Sequence, residues 1–172
     1  MAILDVVEYP APVLLEIARV VRTDEINDEL RQTLTDMAET MYAAPGVGLA
    51  APQVGDGRRF IVIDPGEKDE RGKYLYKMIN PVIVETSVDF IYWDETCLSV
   101  PGLDVRVKRH NRIRLQWLNE RAESTEAWFE GYHAVVVQHE LDHLDGAVIA
   151  DKASAFKRRR WMKKRAKELG GR

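Results

Sequence analysis

Two histidines four residues apart, His139 and His143, enclose Glu140 in the stretch QHELDHLDG, Gln138 to Gly146. On an α-helix that spacing puts both imidazoles on one face, about 6 Å apart, within reach of one ion. A carboxylate between them can take a proton from water acidified by that ion. The run AVVV, Ala134 to Val137, stands just before and predicts burial. Buried charge is costly unless it is paired or ligated. The pattern therefore reads as a metal site, and two histidines do not complete one.

Three candidates compete for the third ligand. Proteases of the HExxHxxGxxH type need a histidine three residues after the glycine; here Gly146 is followed at that place by Ile149, which cannot coordinate. A second protease class uses a downstream glutamate, but Glu168 is the only one after Glu140 and lies among lysines. The lone Cys97, in WDETCLSVPG, remains. A thiolate is a strong metal ligand, and with two histidines it leaves a fourth position open, the catalytic rather than the structural arrangement. A single cysteine is more often a small buried hydrophobe; the want of any better ligand decides against that here.

The composition sets the frame for these residues. At 172 residues the chain is long enough for one domain with a real core. Its 45% hydrophobic and 31% charged content is that of a soluble globular protein. The opening MAILDVVEYP carries acids and no long apolar run, which predicts no secretion signal, and no segment approaches the roughly 18 apolar residues of a membrane span. One cysteine excludes an internal disulfide and suits a reducing cytosol, so a cytoplasmic location is expected. Residues 152–172 hold ten of the 25 Lys and Arg and a single acid, a net charge of +9, which leaves −12 on the rest. A basic tail on an acidic body points to an anionic partner or to a solvated helix face. We expect a catalytic unit over 1–151, with 152–172 a basic helix of the same domain.

Elements able to position the candidate ligands can be read from periodicity. Ile26, Leu30, Leu34, Met37 and Met41 fall at helical spacing, predicting a helix from about Asp24 to Ala43, capped by Thr23 or Asp24 and stopped by Pro45-Gly46. RFIVID, YLYKMINPVIVET, VDFIYW, VRVKR and RIRLQWL, between Arg59 and Trp128, are rich in β-branched and aromatic residues and separated by turn residues. No helix intervenes, so antiparallel pairing is expected. A second helix spans about Gly131 to Asp145 with Gly146 as its C-cap, and a third about Ser154 to Leu169. In the third, Ala155, Met162, Ala166 and Leu169 are spaced to pack one face inward. The fold class is α+β: antiparallel strands around a central metal-binding helix, with an N-terminal and a basic C-terminal helix.

Three separated motifs, in order, resemble those of the peptide deformylase family. GVGLAAPQ, Gly46 to Gln53, matches the family's GΦGΦAAxQ; ETCLS, Glu95 to Ser99, resembles EGCLS with Thr96 for glycine; QHELDH, Gln138 to His143, matches QHExDH. The resemblance covers about Tyr9 to Asp151. Two departures stand out. Thr96 replaces a small residue, and PGLDVRV places Asp104 near the position where many members carry arginine, with Arg106 two residues later. The first bears on the backbone beside Cys97, and the second on recognition of the peptide beyond its first residue.

The resemblance implies hydrolytic removal of formyl from N-formylmethionyl nascent peptides, with release of formate. It implies Cys97, His139 and His143 as metal ligands and Glu140 as general base turned acid. It also implies the Gln53 side-chain amide and the Leu98 backbone N–H as donors to the developing oxyanion. Gly46 and Gly48 would let backbone approach a bound peptide or adopt positive φ, although a tight loop after a helix explains such glycines equally well. Val47 and Val135 are candidates to line a methionine pocket; Val136 and Val137 are expected to be plain core. Asp142 is expected to pair with Arg109 rather than to orient a histidine, and neither His110 nor His133 is expected to be a ligand. Ligand chemistry read alone favours Zn(2+); the family implies Fe(2+) as the physiological ion, with Ni(2+) or Co(2+) as substitutes. Ribosome docking through the basic tail is the corresponding expectation for a partner. An HExxH metallopeptidase and a catalytically silent ribosome-associated homologue are the alternatives.

Overall fold

A computed structural model describes residues 1–170. Helix α1 (Asp28–Ala43) starts later than its periodicity predicts, because residues 23–25 form a single 3-10 turn and Asn27, not Thr23 or Asp24, caps the helix by accepting from the Leu30 N–H at 3.1 Å. Strands β1 (Gly48–Ala50), β2 (Phe60–Ile63), β3 (Tyr76–Thr86), β6 (Arg112–Leu118) and β7 (Ser124–Glu130) form one antiparallel sheet in the order β1-β2-β3-β6-β7. Strands β4 (Phe90–Cys97) and β5 (Val100–His110) form a separate two-stranded hairpin. Two strands fall outside the sequence expectation. The stretch read as a loop after α1 contains β1, too short for a period to show, and STEAWFE (β7) is polar enough to pass for a connection.

Strand β2 explains how the sheet is covered. Its four residues FIVI are all buried, an unbroken apolar run that calls for cover on both faces. Phe60 and Val62 pack with Leu30, Leu34, Met37 and Met41 of α1. Ile61 and Ile63 pack with Val136, Val137, Leu141 and Leu144 of helix α2 (Tyr132–Leu144). The β4–β5 hairpin keeps its own apolar cluster, in which Cys97, Val100 and Val105 meet Ile149 and Trp161. Helix α2 thus runs between sheet and hairpin, which is why Ala134–Val137 form an unbroken buried apolar run. Gly146 ends it at φ +75°, where a Cβ would lie 2.9 Å from the Leu15 carbonyl oxygen.

Helix α3 (Ala155–Gly170) follows and departs from expectation. Its inward residue is Trp161, 6% exposed, whose Nε1–H donates to the Pro101 carbonyl at 2.8 Å and whose ring packs on Tyr9. Arg158 and Arg165 flank it, pairing with Asp151 and with Glu8. Ala155, Met162, Ala166 and Leu169 do not form the packed face; all four are exposed. One large aromatic ring and two arginine stems cover more surface than the small apolar stripe could.

Candidate metal centre

Side chains of strand β4 and helix α2 meet at three levels. Trp93, Glu95 and Cys97 alternate along β4 and so share one of its faces. Each faces a residue of α2. The rings of Trp93 and Tyr132 are stacked at 4.9 Å; Glu95 Oε1 accepts from His139 Nδ1–H at 2.8 Å; Cys97 Sγ lies 3.2 Å from His143 Nε2. The two-residue spacing on the strand and partners two turns and then one turn apart on the helix place aromatic, carboxylate and thiol groups in order along one cleft.

Cys97, His139 and His143 each offer a ligand atom, all within 4.8 Å of one another, and form the one such cluster among the described residues. Because Glu95 holds His139 through Nδ1, the Nε2 of that ring is left for the ion. Burial and the nearby charges of His139 and Arg109 push the His143 imidazole well below its usual range, into the neutral form a metal requires. For His139 burial works against the charged form, but the Cys97 and Glu95 side chains prevail and hold it well above its usual value, so an ion at Nε2 would have to displace a proton there. Two imidazoles and a thiol brought together inside a protein make a donor set for a divalent transition metal.

Behind His139 runs a chain of ion pairs. Arg109 donates twice to Glu95, both bonds 2.8 Å, and once to Asp142 at 2.7 Å; Lys152 lies 3.5 Å from the same Asp142 oxygen. Burial alone would raise the Glu95 pKa, and Arg109 with His139 outweighs it, keeping the carboxyl below its usual range. The expected Asp142–Arg109 pair is present. Glu95 was missed as a partner of His139, although the signal was available: two residues before Cys97 on a strand is the same face.

Glu140 is 4% exposed, and burial pushes its pKa up to about 7. Its carboxyl occupies the space a side chain at residue 48 would need, since a Cβ on Gly48 would fall 2.3 Å from Glu140 Oε1. Gly48 is therefore required by close approach of Glu140, not by a positive φ. At Gly46 the nearest contact of such a Cβ would be 3.4 Å, which is ordinary packing. Gln53 is buried, and its Oε1 accepts from the Ala50 N–H at 2.9 Å. That bond turns the amide nitrogen toward the site, 3.2 Å from Ser99 Oγ and 3.6 Å from Cys97 Sγ.

A cavity of about 450 Å³ joins these groups. Gly46, Val47, Gly48 and Gln53 line one side, Cys97 and Leu98 another, and Val135, His139 and Glu140 the floor; His143 lies buried behind it. Val136, expected to be plain core, lines the cavity as well as the core, because α2 passes between both. Trp93 and Tyr132 also line it and were not foreseen. Thr96 points outward at the mouth between the inward Glu95 and Cys97, so its side chain displaces neither. His133 meets Tyr74 edge-on, with ring centroids 5.0 Å apart, and stays out of the site. His110 is half-buried rather than on the surface, its N–H donating to Gln138 Oε1 and its Nδ1 lying 2.9 Å from the Ser87 carbonyl.

The family model described as polypeptide deformylase matches residues 3–159. A peptide deformylase of Fusobacterium nucleatum is 46% identical over 159 residues, 92% of this chain and 88% of that one. Among solved structures, the peptide deformylase of Thermotoga maritima superposes with a TM-score of 0.82 at 39% identity, covering 90% of this chain and 99% of that chain. The Ehrlichia chaffeensis peptide deformylase in complex with actinonin gives 0.89 at 35% identity, covering 98% of both.

Proposed function

Because the chain belongs to the polypeptide deformylase family, we propose a division of labour among its own residues for the activity that membership brings. The enzyme is a metal-dependent hydrolase that removes the formyl group from the N-terminal formyl-methionine of new polypeptides and releases formate. In our reading Cys97, His139 and His143 hold the ion, and Glu95, fixed by Arg109, sets the orientation of His139. A divalent cation there supplies the Lewis acidity that makes water a nucleophile near neutral pH.

The remaining steps belong to side chains. Glu140 takes the proton of the attacking water as its oxygen bonds to the formyl carbon, then returns that proton to the amide nitrogen as the C–N bond breaks. A carboxyl poised near neutrality can do both. The Gln53 Nε2–H and the Leu98 backbone N–H donate to the carbonyl oxygen as it gains negative charge. Gly46, Val47 and Gly48 border the bound peptide, while Val47 and Val135 contact its first side chain. The observation that carries this reading is the convergence of Glu140, Gln53 and the Cys/His/His cluster on one cavity.

The metal in the cell is proposed to be Fe(2+), with Ni(2+), Co(2+) or Zn(2+) able to occupy the same donors. Residues 1–151 carry the catalytic groups, and α3 belongs to the same domain through Trp161. No helix among the described residues is long and apolar enough to cross a membrane, and we place the enzyme in the cytoplasm with its substrates. Eight of the eleven residues 157–167 are basic, which suits sequence-independent, salt-sensitive contact with ribosomal RNA phosphate. Formate release from a formyl-Met peptide by iron- or nickel-loaded protein, compared with a metal-replete Glu140→Ala variant, tests the assignment. Near-normal turnover in that variant would remove Glu140 from the mechanism, and cleavage of an internal peptide bond would favour a peptidase.

A further inference from the structure

Gln53 and Leu98, the two oxyanion donors named above, belong to parts of the fold that no strand ladder joins among the described residues. Gln53 sits in the 3-10 turn Ala51–Val54, which follows β1 of the large sheet. Leu98, with Ser99, makes the turn of the separate β4–β5 hairpin. Two donors serve one oxygen only if their separation is fixed, and a short 3-10 turn with its poorer hydrogen bonds does not fix it alone. The Gln53 amide does reach Ser99 Oγ at 3.2 Å. That contact orients the amide without fixing the backbone that carries it.

Residues 7–9 supply a tie. The Val7 N–H donates to the Gln53 carbonyl and the Tyr9 N–H to the Ser99 carbonyl, both at 2.8 Å. In extended chain, N–H groups two residues apart point the same way and lie about 7 Å from each other, so one short segment spans both turns. Its ends are held. On one side the Leu4 N–H donates to the buried Thr40 Oγ1 at 2.8 Å and the Ala2 N–H to Asp36 Oδ1 at 2.9 Å, both on α1. On the other, the Tyr9 ring lies 5.5 Å from that of Trp161 and Glu8 pairs with Arg165, both on α3. The segment carries neither a donor nor a metal ligand, yet it bonds to both donor-bearing turns.

We propose that Val7 and Tyr9 are positioning residues for deformylation, whose main-chain N–H groups set the separation of the Gln53 amide and the Leu98 N–H. The proposal rests on the donor roles read above. Both donors are needed once the oxygen gains charge, whereas the rest of the cleft holds the substrate beforehand. Loss of the tie should therefore fall on kcat and spare KM. Misplacing a catalytic group by about 1 Å can cost about 100-fold in rate, and outright loss of one oxyanion donor costs about 100- to 1000-fold.

The test deletes one N–H. Val7→Pro removes the donor to Gln53 and suits extended backbone, while Val7→Ala trims the side chain and keeps the donor. With nickel-loaded protein and formyl-Met-Ala-Ser, Val7→Pro should lower kcat by about ten- to 100-fold, with KM within about twofold and nickel content unchanged. Val7→Ala should cost clearly less. In a Gln53→Ala background the same proline should cost less than about threefold, because the group it displaces is gone. Where the proline variant shows no cooperative unfolding transition, replacing Val7 by its α-hydroxy acid removes the same N–H with the shape kept, and the same changes are expected. Native kcat without the N–H, an equal loss in Val7→Ala, or the full loss repeated beside Gln53→Ala would overturn the positioning role and leave the deformylase reading standing. Native turnover in Gln53→Ala would remove that donor and this proposal with it. No formate from the native protein would sink the deformylase reading itself.

Discussion

Helices α2 and α3 are neighbours in the chain and obey opposite rules. On α2 three side chains answer to partners from elsewhere in the chain, His139 to Glu95, His143 to Cys97 and Asp142 to Arg109, while the buried Glu140 keeps a carboxyl oxygen with no hydrogen-bond partner. On α3 most charges stand in water, and the helix is held by one indole and two arginines. Burial explains the difference, since a charge out of water must be matched or, as at Glu140, pushed toward its neutral form, whereas an exposed one constrains little. Positions on α2 are therefore specified one by one, and α3 is specified by its composition and a single anchor.

That contrast can be broken at several points. The largest effect should come from Glu140→Ala, which is expected to keep its metal by elemental analysis and lose about two to four orders of magnitude in kcat/KM. On α3 one residue should behave as core. Trp161→Ala should cost about 3–5 kcal/mol in denaturant unfolding, and a loss below about 1 kcal/mol would show that α3 is not docked as described. Glu95→Gln keeps the shape but removes the charge that orients His139. It should weaken metal affinity by about 10–100-fold in a chelator competition, and unchanged affinity would make the ion-pair chain structural only. The smallest effect is expected from Met162→Lys on the exposed stripe of α3, within about 0.5 kcal/mol of the native protein. A large loss there would restore the packing face that periodicity suggested.

The same contrast accounts for what could be read in advance. The Cys97, His139 and His143 donors that the structure brings together could be proposed in advance because an i, i+4 histidine pair with one cysteine leaves few alternatives, and α1 was legible from its apolar spacing. The packed face of α3 was misread because apolar spacing was followed where a lone tryptophan and arginine stems do the packing. Strand β1 has three residues, fewer than a period needs to declare itself. Trp93 and Tyr132 escaped because their meaning depends on which helix lies opposite β4, and a single strand cannot reveal its neighbour across the cleft; Glu95 alone carried a signal, its two-residue spacing from Cys97.

Gly48 and Glu140 come from distant parts of the chain yet fill one volume, and this ties their histories together. With a Cβ at position 48 only 2.3 Å from the carboxyl, neither site can be judged by its own surroundings. Alanine at 48 should be costly while the glutamate remains and nearly silent once Glu140 is alanine, a strong non-additivity in a double-mutant cycle. A lineage drifting by single changes would have to shrink the acid before it could enlarge the glycine. Under the role proposed for Glu140 that first step would cost activity, so the glycine is held in place by a helix far along the chain.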